Sequence, residues 1–204
     1  MSTDYFAQKA GEWDSNRSRT DNLDNISASI VKTVNLNETM HLMDFGSGTG
    51  LLLERIAPYV GKITAADVSP AMNTRLQEKR GQIACELDIV EIDLEKADID
   101  IQFDGVVSSM TMHHIADIEA MFRKFHSMLK DGGFIAIADL DLEDGSFHTD
   151  DTGVKHFGFD RDEFAKSAAS AGFAEVQISS ASVIHRPNGD FPVFLLTAAR
   201  PPSL

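Results

Sequence analysis

The stretch Leu42-Met43-Asp44-Phe45-Gly46-Ser47-Gly48-Thr49-Gly50 constrains the chain more than any other. A short apolar run ends in an acid, three alternating glycines follow, and Leu51-Leu52-Leu53-Glu54-Arg55-Ile56 then reads as a helix. Without Cβ atoms, glycines 46, 48 and 50 let the backbone turn tightly and bring its N–H groups close to a ligand. The spacing is GxGxG. A dinucleotide fingerprint places its third glycine three residues after the second, where this chain has Leu51. Asp44 at the strand tip would repel a pyrophosphate and attract a cation. Asp67 lies 21 positions after Gly46, where a βαβ unit delivers the end of its second strand, and a carboxylate there can accept both hydroxyls of a ribose. Ser69-Pro70 then starts a helix as N-cap and first-turn proline.

Apolar runs alternate with helical periodicity from about residue 40 to 172, the pattern of a parallel sheet covered by helices on both faces. Strands are expected at 41–45, 62–67, 86–92, 103–109 and 134–140. Ile115, Ile118, Met121, Phe122, Phe125 and Leu129 recur at three- and four-residue spacings, an amphipathic core-facing helix ended by Asp131-Gly132-Gly133. A further helix over 163–171 closes at Gly172, and two β-rich runs, 174–185 and 191–199, flank Pro187-Asn188-Gly189-Asp190 as a hairpin. That makes seven strands.

At 204 residues, 43% hydrophobic and 25% charged, the chain suits one globular domain with a substantial core. The polar first residues and the short apolar runs predict neither a signal peptide nor a membrane span, and a cytoplasmic protein. Cys85 is the only cysteine, so no intrachain disulfide and no cysteine-based metal cluster can form. Eighteen basic residues against 32 acidic ones give a net charge of -14, which repels a polyanion and argues against a nucleic-acid partner.

These features together resemble the class I methyltransferases that use S-adenosylmethionine (SAM), and among them the small-molecule enzymes of the ubiquinone-biosynthesis-like, type 11 group. The likeness runs from the glycine loop and Asp67 through Ile92-Asp93-Leu94 and Phe103-Asp104-Gly105-Val106-Val107-Ser108 to Leu129-Lys130-Asp131-Gly132-Gly133. It implies an α/β, Rossmann-like, doubly wound sheet, mostly parallel with an antiparallel C-terminal hairpin. The resemblance also implies SAM as cofactor and S-adenosylhomocysteine (SAH) as product. The cofactor would be held by Asp44, Gly46, Ser47, Gly48 and Gly50, with Asp67 on the ribose and Asp93 on the adenine amine. Val68 and Leu94 would sandwich the purine, and Ser108 and Ser109 would lie beneath the methionine moiety. Residues 1–37 would form a helical cap over the 38–204 core, placing Trp13 and Arg17 against the ligand, the arginine for the SAM carboxylate. Where base-amine methyltransferases carry an aromatic tetrad, this chain has Ser108-Ser109-Met110-Thr111.

Methyl transfer mainly needs a positioned nucleophile and, where necessary, a proton acceptor. Candidates are His113 and His114 after the fourth strand, and His156 within residues 141–160, a segment long enough to act as a lid and also holding His148, Phe157 and Phe159. Asp139, Asp141, Glu143 and Asp144 raise the question of magnesium, but no second cluster accompanies them, and no metal is expected. The expected activity is methylation of an oxygen or nitrogen of a small molecule. A non-catalytic SAM or SAH binder is the alternative, and a nicotinamide oxidoreductase is disfavoured by Leu51 and Asp44. The chain is expected to be a monomer or a homodimer.

Overall fold

The computed structural model describes Asp14, residues 17–148 and residues 152–203. Chain order runs α1 (Arg17–Thr33), β1 (His41–Phe45), α2 (Leu51–Ile56), β2 (Lys62–Asp67), α3 (Pro70–Lys79), β3 (Glu86–Glu91) and β4 (Phe103–Ser109). It continues with α4 (Ile118–Met128), β5 (Leu129–Leu140), α5 (Arg161–Ser170), β6 (Ala174–Arg186) and β7 (Gly189–Ala199).

The seven strands form one sheet in the order β3-β2-β1-β4-β5-β7-β6. Strands β1 to β5 pair in parallel, whereas β7 runs antiparallel to both β5 and β6. The fold is thus α/β, with a mostly parallel, doubly wound sheet and an antiparallel C-terminal hairpin. Its strand order reverses between β1 and β4, and at such a switch point the loops leave a crevice beyond the carboxyl ends of the strands.

Alternation along each strand sends neighbouring side chains to opposite faces, each with its own core. Leu42, Val107 and Leu195 pack with Ile26, Ile30 and Leu53 on the α1 and α2 side. Met43, Val106 and Leu196 pack with Phe122, Phe125 and Phe164 on the α4 and α5 side. The Met and Phe stripe of α4 is core, with Phe122 and Phe125 fully buried.

Most boundaries fall within two residues of the sequence pattern, and the largest difference is where α4 gives way to β5. Helix α4 begins at Ile118, N-capped by the Asp117 side chain on Ala120 N–H, and ends at Met128 rather than at the glycine pair. Leu129 already pairs with Phe103, so Asp131-Gly132-Gly133 lies inside the long β5, beside the register shift between Phe103 and Gly105. The pull of the sheet partner outweighs the local glycine signal.

Candidate active site

The loop after β1 owes its shape to its glycines. Gly46 and Gly50 take φ values of 69° and 88°, in the left-handed region. A Cβ on Gly46 would lie 2.2 Å from the Thr111 side chain, and one on Gly50 would lie 2.5 Å from Leu76 Cδ1. At Gly48 a Cβ would meet nothing within 4 Å, so this turn faces open space. The loop is tied to β2, because Gly46 N–H donates to the Ala66 carbonyl at 2.8 Å and Gly48 N–H donates to Asp67 Oδ2 at 2.8 Å. Asp67 Oδ1 accepts Ser69 N–H at 2.8 Å, and the Ser69 hydroxyl caps α3.

A cavity of about 620 Å³ opens at the switch point. Its walls include Asp44, Gly46, Ser47, Gly48, Asp67, Val68, Asp93, Leu94, Ser109, His113 and His114 of the residues expected from sequence. Gly50 instead shapes the start of α2. Ser108 is fully buried with its hydroxyl donating to the Phe45 carbonyl at 2.7 Å, so it braces β4 against β1. Trp13 and the side chain of Arg17 lie outside the described residues. Arg19, two residues further along α1, lines the cavity.

Asp44 is the electrostatic peculiarity of the site. It is 1% exposed, and its Oδ2 has no hydrogen-bond partner. Burial, reinforced by the nearby Asp67, pushes its carboxyl up to about 8. A buried carboxyl in this state is costly alone and well matched to a cationic ligand. The Ser47 and Ser109 hydroxyls are likewise buried without partners on the same cavity wall. An ammonium and a sulfonium satisfy this donor-poor, acid-rich lining, so the residues fit SAM; a pyrophosphate would only add negative charge. Asp93 lies 34% exposed by its side chain, with Oδ1 accepting Glu95 N–H and Oδ2 paired with Lys96, which holds its carboxyl below the usual range.

The opposite end of the cavity is built from three distant stretches. Met110, a non-glycine residue at φ 57°, turns the chain out of β4 and donates its N–H to the Ala138 carbonyl. His113 follows, 2% exposed, with Nδ1 2.7 Å from Oδ1 of the fully buried Asp139 on β5. Asp139 Oδ2 also accepts His113 N–H at 3.2 Å. The His113 ring stands 4.4 Å from that of His114 and 5.0 Å from that of His148. Burial lowers both His114 and His148 to about 4, with the proximity of His113 adding to the effect, so both rings are neutral at neutral pH.

Residues 141–148 and 152–160 fold back on this turn. Leu142 and Glu143 N–H donate to Phe159 and Phe157 carbonyls, and Arg161 grips Asp141 at 2.7 and 2.9 Å. Lys155 and His156 N–H both donate to the His113 carbonyl, at 2.8 and 3.1 Å. His156 stands off the cavity walls, its Nε2 on the Ile115 carbonyl at 2.9 Å, so the structure does not bring it to the other two histidines expected from sequence. Among the described residues, no group of His, Cys, Asp and Glu is arranged to hold a metal ion. Asp141 is instead spent on Arg161, and Glu143 Oε2 accepts Phe147 N–H.

Sequence reasoning weighed Asp139 only as a metal ligand, left His148 among the residues of the 141–160 segment, and missed Arg19 and Arg186. The acid alternating with apolar residues at the end of β5 was a usable signal for Asp139. Nothing local marks the others.

Residues 43–135 match the family described as methyltransferase domain. The chain is 32% identical over 161 residues to an uncharacterized methyltransferase of Schizosaccharomyces pombe, covering 71% of this chain and 55% of that protein. These likenesses support a class I SAM-dependent methyltransferase. The chain is also 29% identical over 180 residues to the malonyl-(acyl-carrier protein) O-methyltransferase of Geobacter sulfurreducens, a match that covers 80% of this chain and 66% of the relative. The fold matches that of the DhpI–SAH complex with a TM-score of 0.74 at 19% identity, over 98% of this chain and 95% of that one. The chain spans little more than half the length of the first curated relatives it matches, 55% and 57% for two of them. No helix among the described residues is long and apolar enough to cross a membrane.

Proposed function

We propose that the protein transfers the methyl group of SAM to an oxygen or nitrogen of a small molecule. The observation that carries the reading is the Asp44 carboxyl, buried at the switch point with one oxygen unpartnered beside the glycine loop. SAM supplies, when bound, a methyl group on a positively charged sulfur and leaves as SAH. Asp44 and the Ser109 hydroxyl would hold its amino-acid end, with Arg19 for the carboxylate. Asp67 would take the ribose hydroxyls, and Asp93, Val68 and Leu94 the adenine.

His113 is the candidate base. The Asp139 carboxylate accepts a hydrogen bond from Nδ1–H, which would fix the ring and leave Nε2 as the basic nitrogen for the acceptor proton. The neutral His114 and His148 exclude water from that nitrogen and offer polar contacts without charge. The net charge of -14 makes a polyanionic acceptor unfavourable, which supports a small molecule.

Calorimetric titration with SAM, SAH and NAD tests the cofactor half, repeated with Asp67→Ala. Binding of the two sulfur ligands, weakened by the substitution, is expected; binding of NAD alone would sink the reading. An acceptor panel tests the chemistry. Tight SAM binding with no transfer to any acceptor would mark a non-catalytic binder instead.

A further inference from the structure

We propose that Lys124, on α4, is a positioning residue for the adenine of SAM, its ammonium holding in place the wall against which the purine would lie. This deepens the cofactor half of the reading above and rests on it.

The connection from β3 to β4, residues 92–102, contains neither helix nor strand, so no regular element of its own fixes it. Its first part nevertheless supplies Ile92, Asp93, Leu94 and Glu95 to the cavity wall. Asp93 bends this segment into a turn. Its carbonyl accepts Lys96 and Ala97 N–H at 3.0 and 2.9 Å, and its side chain accepts Glu95 N–H at 3.0 Å. Those bonds are internal to the segment. They set the shape of the turn and do nothing to hold it against the sheet.

Lys124 supplies that hold. Its Nζ donates to the Leu94 carbonyl at 2.5 Å and to the Ala97 carbonyl at 2.8 Å, and lies 2.9 Å from Asp98 Oδ1. An ammonium has three donors, and these three oxygens use them all. Bonds from a charged donor are the stronger kind, and this donor stands on a helix anchored by the buried Met121, Phe122 and Phe125. Leu94 is 2% exposed and belongs to the same apolar cluster as those three residues. Its side chain and its carbonyl are therefore both fixed to α4. A second tie secures the next residue, where Glu95 Oε1 accepts Ala116 N–H at 2.9 Å. Lys124 itself is not on the cavity wall and acts from behind it. Its charge also reaches Asp93: the bond from Lys96 does most to hold that carboxyl below its ordinary range, and Lys124 adds to it. The ionised carboxylate is the form that accepts an amine N–H.

The test is calorimetric titration of the full chain with SAH and, by displacement of SAH, with S-ribosylhomocysteine, the same ligand without its adenine. Lys124→Met keeps most of the side chain's bulk and removes every donor; Lys124→Gln takes its place should the methionine variant fail to fold. SAH is expected to bind about tenfold more weakly to either variant, while S-ribosylhomocysteine changes by less than about twofold. A residue that merely supported the fold would weaken both ligands together. Lys124→Arg should recover part of the loss, because the charge remains but a planar fork cannot serve three converging oxygens. The proposal is overturned if SAH affinity is unchanged, if both ligands weaken alike, or if Lys124→Arg does no better than Lys124→Met. Failure of the cofactor reading shows instead in the unaltered protein: if that binds no SAH, or binds the two ligands equally, there is no adenine site to position and the proposal falls with it.

Discussion

The two ends of the cavity are made in different ways. The cofactor end is written in short, continuous stretches: residues 44–52, 66–68 and 92–95, each the tip of a strand and the turn after it. The acceptor end draws single side chains from residues separated by more than 70 positions, held by bonds such as His113 to Asp139 and Lys155 to the His113 carbonyl. Backbone geometry does most of the work at the first end, and side-chain chemistry at the second. Substitutions should therefore separate them. The largest effect is expected at His113. His113→Ala should slow methyl transfer roughly 10²- to 10⁴-fold while leaving SAH affinity within a few-fold, measured by single-turnover assay and titration. A loss of SAH binding of the same size would show that the two ends are one unit.

Within the glycine loop the comparison can be made sharper. Gly46→Ala places a methyl against Thr111 in a left-handed backbone, and should cost about 2–4 kcal/mol of folding stability. Gly48→Ala meets open space and should cost only about 1 kcal/mol, for its φ of 54°, while weakening SAM binding because the added carbon enters the cavity. Urea unfolding and calorimetry on both variants read these quantities. Equal stability losses would mean that the loop relaxes around Thr111.

The same division explains what was legible in the sequence. Asp44, the glycines and Asp67 lie within about two dozen residues, and the βαβ unit that joins them fixes their relative positions by its own regular geometry. The sheet was legible for a similar reason, since period-two apolar runs and the Asn188-Gly189 turn are local signals. The end of α4 was not, because pairing of Leu129 with Phe103 is a long-range contact that overrode the glycine pair. Neither was the neighbourhood of His113. His148 and Arg186 carry no motif, and they reach the cavity only because residues 141–148 and 152–160 fold back onto the turn after β4 and β6 ends beside Phe147. His156 lay in the same segment with equal promise, and its ring instead fastens that segment to Ile115.

Asp44 offers a more modest but more diagnostic change. Its carboxyl is destabilising without a ligand and useful with one, so Asp44→Asn should raise the melting temperature of the ligand-free protein at pH 8 and weaken SAM about tenfold or more. Differential scanning fluorimetry with and without SAM compares the two directly. If the variant is destabilised without ligand, the carboxylate has a structural role that the buried, unpartnered oxygen does not suggest.

The smallest effect distinguishes the two ends through protons alone. His114 and His148, at the acceptor end, are held at about 4 when folded against 6.5 when free, so between those values the unfolded chain binds more protons and stability rises with pH. Asp44, at the cofactor end, is raised to about 8 from 3.8, so over that wider window the folded chain binds more protons and stability falls as pH rises. Below 6.5 these two histidines, joined by His41 and His126, which burial also lowers, oppose one aspartate and the slope is upward; above 6.5 Asp44 prevails and the slope turns down. The ligand-free protein should accordingly melt highest near pH 6.5. Saturating SAM should flatten the decline towards pH 8, because a cation beside Asp44 favours its ionised form in the folded state. A melting temperature that climbs steadily to pH 8 without ligand would mean that the buried carboxylate is already compensated, and the electrostatic case for a cationic cofactor at that end would fall.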